Sequence, residues 1–303
     1  MKKFLYFLII TLAVVLISDS FIGYYLDHHF ALTSFEPAHQ AYNNTSDLAL
    51  MGPSEMQNQY VTTIISDSLN FSAYNYGSSA GNIYSSYILL NLMLNHSKHK
   101  PKYILYEPSY IDFYDTPKWN TEQLDVFYPM YNIDDSLRSV VDLQGWQTSL
   151  MLSTLQSYKH NSKIYDYIKQ MFRPVANDEN LGFHAIKSKE FNDSLEVVKD
   201  APNIKIDKKK IEYFYRFIHL CKDNNIKLIL VNAPSYEIHE DVMWMKLLKS
   251  IVKEEEIPFL NYDNDTFFTS HKEFYYNRGH FNGEGATIWT KSIIKDLRVL
   301  IHN

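Results

Sequence analysis

The sequence predicts a three-layer α/β/α domain with about five parallel strands, an N-terminal transmembrane helix in front of it and a mainly helical insertion inside it. Three observations carry this. Short apolar runs alternate with segments of helical period between residues 48 and 106, and again between 207 and 300. The alternation lapses between about 110 and 200. The chain also opens on a long apolar stretch behind two lysines. Strands that are apolar throughout and separated by helices belong to parallel sheets covered on both faces.

The opening stretch comes first. After Met1-Lys2-Lys3, residues 4–17 are almost entirely apolar, Ser18-Asp19-Ser20 interrupts, and the apolar character resumes to Leu26. Residues 4–26 number 23, against the roughly 20 needed to cross ~30 Å of hydrocarbon. Ser18 and Ser20 could serve a signal-peptide cleavage site, but no A-x-A motif is present. Tyr24-Tyr25 supplies an interfacial aromatic pair, so residues 1–27 read as an uncleaved signal anchor, with the lysines cytoplasmic and the remainder outside. Residues 28–46, polar with one proline, read as a linker, and 47–303 as the α/β domain.

Within that domain, Leu48-Ala49-Leu50-Met51 is the first strand, followed by Gly52-Pro53-Ser54 and a helix with Met56, Tyr60 and Ile64 on one face. Residues 71–76 form the second strand, ending at Gly77. Ile83, Tyr87, Leu90 and Leu94 recur at helical spacing, and residues 103–106 form the third strand. The insertion is rich in Tyr, Phe and Asp early on, helical over about 136–171 with Ile164, Ile168 and Met171 sharing a face, and irregular after Arg173-Pro174; it is expected to help roof the site. Asp207 caps a helix carrying Ile211, Phe214, Ile218 and Cys221, and Asn224-Asn225 stops it. Residues 226–231 make the fourth strand, a helix covers about 240–255, and Phe259-Leu260 is the last strand. The final helix carries Ala286, Trp289, Ile293, Leu297 and Leu300, with Asn282 as its cap.

Composition excludes several function classes. A formal charge of −6 gives no electrostatic reason to expect nucleic acid. One cysteine, Cys221, excludes an internal disulfide framework and Cys-based zinc clusters. His28-His29, the one adjacent His pair, sits in the linker, Asp263 and Asp265 could bind a cation, and no H-x-H or H-E-x-x-H pattern occurs, so neither a metal nor a cofactor is expected.

Two positions carry chemistry. Ser54 follows the first strand and opens a helix, where a hydroxyl is exposed beside backbone N–H groups that can hold an oxyanion; the plainer reading is a helix cap. His280 lies in the glycine-rich loop Tyr276-Asn277-Arg278-Gly279-His280-Phe281-Asn282-Gly283 before the last helix. In a parallel sheet every strand-to-helix loop opens on one edge, so Ser54 and His280 should face one crevice, and a serine needs a base such as histidine within reach.

Together these features resemble the SGNH/GDSL hydrolase family, and particularly its membrane-anchored bacterial members. The resemblance rests on the serine in Met51-Gly52-Pro53-Ser54-Glu55, the strand end Tyr74-Asn75-Tyr76-Gly77 and the histidine block at 277–286. It implies a flavodoxin-like fold, Ser54 as nucleophile, His280 as base, and an oxyanion held by the backbone N–H groups of Ser54 and Gly77. Two positions depart from the family pattern. The family acid three residues before the histidine is replaced by Asn277, and Glu107-Pro108-Ser109 stands where the family's third-block asparagine would be. Asp263 or Asp265 is a candidate substitute acid, and Asn82 or Asn232 a candidate side-chain oxyanion donor.

The expected function is a serine esterase or O-acyltransferase, anchored in the cytoplasmic membrane, acting through an acyl-serine on acyl (chiefly acetyl) esters of a cell-envelope glycan or similar polymer. That substrate class is implied by the resemblance. The alternative is a weak or inactive member of the same fold that binds a glycan or a partner in an envelope assembly. The insertion's aromatics, Tyr110, Phe113, Tyr114, Trp119, Phe127, Tyr128 and Tyr131, suit either stacking on sugar rings or ordinary core packing.

Overall fold

The computed structural model describes residues 1–116, 121–161, 163–172 and 178–302. Trp119 and Arg173-Pro174 lie outside these residues, as does the side chain of Met171. The chain forms two compact units: residues 1–39 with 121–177, and residues 40–120 with 178–303.

The larger unit is the expected α/β/α domain with a flavodoxin-like sheet. Its strands are β1 (Leu48–Met51), β2 (Ala73–Asn75), β3 (Tyr103–Tyr106), β4 (Lys227–Asn232) and β5 (Phe259–Asn261). They lie in the order β2-β1-β3-β4-β5, all parallel, with Leu48 opposite both Ala73 and Tyr103, and Leu230 opposite Phe259. Residues alternate between the two faces of a strand. Leu48, Leu50, Leu105, Ile229 and Val231 share one core with Tyr60, Ile65, Trp289, Ile293 and Leu297. On the other face Tyr106 meets Phe214 and Phe217.

Helices cover both faces. Helix α3 (Ser54–Gln59) and helix α4 (Thr62–Leu69) pack against the last helix, α12 (Gly283–His302), while α5 (Ile83–His96) packs against α9 (Lys208–Asp223). The single helix expected after β1 is two helices, because Tyr60 and Val61 adopt extended backbone between them. The break lets the Val61 N–H donate to Thr290 Oγ1, which in turn donates to the Gln59 carbonyl. Asp207 caps α9 as expected, accepting from the N–H groups of Lys209 and Lys210. Helix α10 is Met243–Glu254 and the one-turn α11 is Thr266–Thr269. On α12 the buried residue near the end is Ile301, and Leu300 is only partly covered.

The strand order places a topological switch between β1 and β3, so the crevice beyond their carboxyl ends is the fold's natural ligand site. Part of the expected insertion belongs to this unit. Leu181 extends the edge of β2 by accepting from the Asn75 N–H (2.9 Å), and His184 N–H donates to the Gln57 carbonyl. Phe113 and Tyr114 are buried core residues and Tyr110 is exposed.

The smaller unit is helical. Helix α1 (Lys2–Phe30) is long and apolar enough to cross a membrane, with a mean hydropathy of 2.3 over its most apolar stretch. The expected continuous helix at 136–171 is a series of short ones: α6 (Asp135–Val141), α7 (Trp146–Thr154) and α8 (Ile164–Phe172), with 3₁₀ turns at Asp142–Gln144 and Gln156–His160. Phe127 and Tyr131 are buried here. The polar stretch after α1 is not irregular throughout, as its composition suggested. Residues 36–42, where the chain passes from this unit to the larger one, form helix α2, and its Ala38 and Ala41 are fully buried.

Candidate active site

Ser54 is the first residue of α3, immediately beyond β1. Gly52 makes the sharp turn that leads to it: its φ is +149°, and a Cβ there would sit 2.7 Å from the Glu107 carbonyl oxygen on the neighbouring strand. Only glycine tolerates that combination. As the first helical residue, Ser54 has no intrahelical partner for its N–H, which is directed out of the helix start.

His280 comes from the other end of the chain, yet its Nε2 lies 2.8 Å from Ser54 Oγ. Its Nδ1 lies 3.0 Å from Asn277 Oδ1. The Gly279 N–H also donates to Asn277 Oδ1, at 3.0 Å. A backbone N–H can only donate, so that atom is the amide oxygen and the orientation of the Asn277 side chain is fixed. An oxygen facing Nδ1 requires Nδ1 to carry the proton. Nε2 is then the unprotonated nitrogen, and the Ser54 hydroxyl donates to it. The tautomer is the one a general base needs. The three expected residues therefore meet, in the order expected, across one edge of the sheet.

The histidine loop is held to the serine helix directly. Gln59, on α3, donates through Nε2 to the Gly279 carbonyl (2.8 Å). Tyr275–Asn277 pairs antiparallel with His280–Phe281, and Asn282 Oδ1 accepts from the N–H groups of Glu284 and Gly285, capping α12 as expected. Ser54 Oγ has a second neighbour that sequence reading missed: Glu55 Oε2, at 3.1 Å. The serine hydroxyl thus has two alternative acceptors, His280 and Glu55.

The oxyanion expectations divide. The Gly77 N–H is not free, because it donates to Asn75 Oδ1 (2.9 Å), whose Nδ2 in turn donates to the Met56 carbonyl on α3 (2.7 Å). An Asn two residues before the glycine is the turn signature that could have been read from sequence. Asn82 is an N-cap: its Oδ1 accepts from the Tyr84 N–H at the start of α5. Asn232 does line the crevice, with Nδ2 donating to Asn261 Oδ1 at 3.3 Å. Neither candidate substitute acid reaches His280. Asp263 binds His239 instead, and Asp265 caps α11 by accepting from Phe267 and Phe268.

Two clefts open at the site. One, of about 280 Å³, is lined by Glu107, Tyr110, Asn232, Glu237, His239 and His280 among others. The second, about 260 Å³, holds Ser54 with Glu55, Ala80, Tyr110, Ile111 and His280. Of the expected insertion, residues 110 and 111 line these clefts.

Glu107, at the end of β3, is buried; it accepts from the Ala233 N–H at 2.8 Å and from the Tyr60 hydroxyl. Burial pushes its carboxyl up to about 8, so near neutral pH it is a proton carrier rather than a fixed charge. His239 is a second imidazole with a carboxylate partner: Nδ1 lies 2.7 Å from Asp263 Oδ1, and Nε2 lies 3.7 Å from Glu237 Oε2. Burial opposes its charge, but the hydrogen bond and charge of Asp263, with Glu237, raise its pKa overall. Neither Glu107 nor the His239–Asp263 pair is marked by local sequence.

Compared with protein-family models and with curated proteins, the chain finds no match. Among solved structures it is similar to one from Bacteroides fragilis NCTC 9343 that carries the provisional name acylhydrolase. The two share 11% identity and a TM-score of 0.39, over 86% of this chain and 89% of that one.

Proposed function

We propose that this chain is a membrane-anchored serine esterase or O-acyltransferase of the SGNH type, acting outside the cytoplasmic membrane on acyl esters, chiefly acetyl, of a cell-envelope glycan. The observation that carries the reading is the hydrogen-bonded series Ser54 Oγ, His280 Nε2, His280 Nδ1, Asn277 Oδ1, with the tautomer fixed by the Gly279 N–H.

In the first half-reaction Ser54 Oγ attacks the ester carbonyl carbon while its proton passes to His280 Nε2. The tetrahedral oxyanion is held by the Ser54 N–H at the start of α3. Gly77 joins it only if its N–H leaves Asn75 Oδ1. The C–O bond to the leaving alcohol then breaks, and His280 returns the proton to that oxygen. In the second half-reaction water or an acceptor hydroxyl repeats the sequence, freeing Ser54.

Asn277 orients the imidazole but offers no negative charge to the imidazolium, so turnover is slow beside that of a full triad. The exposed Tyr110 ring, on the rim of both clefts, suits a sugar face. The apolar α1 helix supports the anchor. His239, which lines the 280 Å³ cleft and is paired with Asp263 behind it, favours transfer to an acceptor hydroxyl, since it supplies a second imidazole for that partner.

The test is turnover of p-nitrophenyl acetate by the full chain in detergent. Measurable hydrolysis that falls to background in both Ser54→Ala and His280→Ala supports the enzyme. Equal rates in wild type and Ser54→Ala would contradict it and leave the glycan-binding reading, which the neutral Asn277 favours.

A further inference from the structure

We propose that α7 and α8 lie in the headgroup layer of the bilayer that α1 crosses, with their outward apolar faces seated in its outer leaflet. This rests on α1 being a membrane span, and every contact that carries it lies within the smaller unit.

Twenty residues of helix at 1.5 Å each cover the ~30 Å of hydrocarbon. Counted from Phe4, which follows the two lysines, that length ends at Gly23. Gly23 is where the 3₁₀ turn Gln156–His160 docks on α1: a Cβ on this glycine would overlap the Gln156 side chain. One turn earlier Asp19 accepts from the N–H groups of Gln156 (2.6 Å) and Ser157 (3.1 Å) and from the Ser157 hydroxyl. One turn later Asp27 meets Lys159 Nζ at 2.7 Å and His160 Nε2 at 2.8 Å, both of those side chains being fully buried. His160 Nδ1 continues to the Tyr167 hydroxyl of α8 at 2.8 Å. The turn is thus clamped to α1 on both sides of the level where the hydrocarbon should end.

The helices attached to that turn are α7 before it and α8 after it. α7 exposes Trp146 (70%), Leu150 and Met151. α8 exposes Ile164, Tyr165 (77%), Ile168 and Phe172 (81%), spaced one, four and eight residues from the first and so sharing one face, while Tyr167, on the flank of that face, is buried. The face expected from the spacing of Ile164 and Ile168 is therefore real but points outward. On α1, Phe21, Ile22, Tyr24 and Tyr25 are likewise exposed, so the apolar surface of the span continues past Asp19 onto the docked helices. Trp and Tyr are favoured at the membrane interface, and an amphipathic helix there buries its apolar face about 5–10 Å deep. A bilayer is the occupant whose apolar surface α1 already requires at this level.

The experiment uses the full chain, reconstituted in phosphatidylcholine–phosphatidylglycerol vesicles. In a Cys221→Ser background, Ile10→Cys, Tyr165→Cys, Phe172→Cys and Asp135→Cys each receive an environment-sensitive fluorophore. The proposal expects quenching at 165 and 172 by lipids spin-labelled near the headgroup, and iodide quenching there at least about threefold weaker than at 135, as burial of 5–10 Å implies. Position 10 should be quenched by lipids labelled deep in the acyl chain. Deep quenching at 10 with 165 and 172 open to iodide overturns the proposal and leaves the anchor standing. No deep quenching at 10 overturns the anchor and the proposal together. Protection from iodide at 165 and 172 without lipid quenching assigns the face to a protein, a second copy included, and also overturns it.

Discussion

Asn277→Asp is the substitution on which the chemistry turns. Asn277 Oδ1 lies 3.0 Å from His280 Nδ1 and already accepts its proton. An aspartate in the same rotamer keeps that hydrogen bond and the one from the Gly279 N–H, so the tautomer is unchanged. What it adds is a full negative charge beside the imidazolium that forms as Ser54 attacks. With charge centres ~4 Å apart, the attraction is about 1 kcal/mol in water and about 4 kcal/mol at an effective dielectric constant of 20. His280 and Asn277 are half-buried, which places the gain near 2 kcal/mol, or about thirtyfold in rate. That is well short of the ~10⁴-fold loss seen when a triad aspartate becomes asparagine and the tautomer is wrong, because here the tautomer is already right. The assay is kcat/KM for p-nitrophenyl acetate between pH 5 and 9. The gain is read on the pH-independent plateau of the profile. An unchanged or lower plateau in a folded variant would refute the assignment of His280 as base and Asn277 as its orienting partner.

Other substitutions test the surroundings. Glu107 is held protonated by burial, with its pKa pushed up to about 8, so the folded state binds a proton that the unfolded state has already released above the usual carboxylate range. Stability therefore falls as pH rises from about 4.5 toward 8, by about 1.4 kcal/mol per unit at most. Glu107→Gln mimics the protonated form, and its urea midpoint should decline less than wild type between pH 6 and 9; parallel declines would exclude Glu107 as the cause. Gln59→Ala removes the tie between α3 and the Gly279 carbonyl, at a cost of about 1 kcal/mol in stability. It should lower kcat with little change in KM, and a purely structural effect would leave kcat per folded molecule unchanged. His239→Gln should leave the rate of Ser54 acylation intact and slow transfer to an added sugar acceptor, measured as the ratio of transfer to hydrolysis; an equal fall in both would assign His239 to the fold.

The sheet was legible because its central strands are apolar on both faces, as Leu48, Ala49, Leu50 and Met51 show by being wholly buried. The break between α3 and α4 was not, since Met56, Tyr60 and Ile64 keep a helical spacing across it; because the helix is interrupted it is Ile65, not Ile64, that joins Met56 and Tyr60 in the core, and the interruption serves a hydrogen bond to Thr290, 229 residues away. Ser54 and His280 could be placed together because a parallel sheet brings all its carboxyl-end loops to one edge, whatever their separation in sequence. Asn277 came with the histidine block. Glu107, Gln59 and the His239–Asp263 pair were hidden because their partners lie 24 to 220 residues away and no local pattern marks them. Gly77 was assigned by resemblance, and Asn75 beside it is the local detail that changes its state. The same limit applies to α8: its period was visible, but whether its face turns inward or outward depends on what the fold sets against it.

The most direct measurement of the central claim is the mass of the protein after reaction with a fluorophosphonate. The account predicts one phosphonyl group per chain, recovered on the peptide containing Ser54, absent from Ser54→Ala and formed more slowly in His280→Ala. A folded wild-type chain that stays unmodified, or one labelled at another residue, would contradict it.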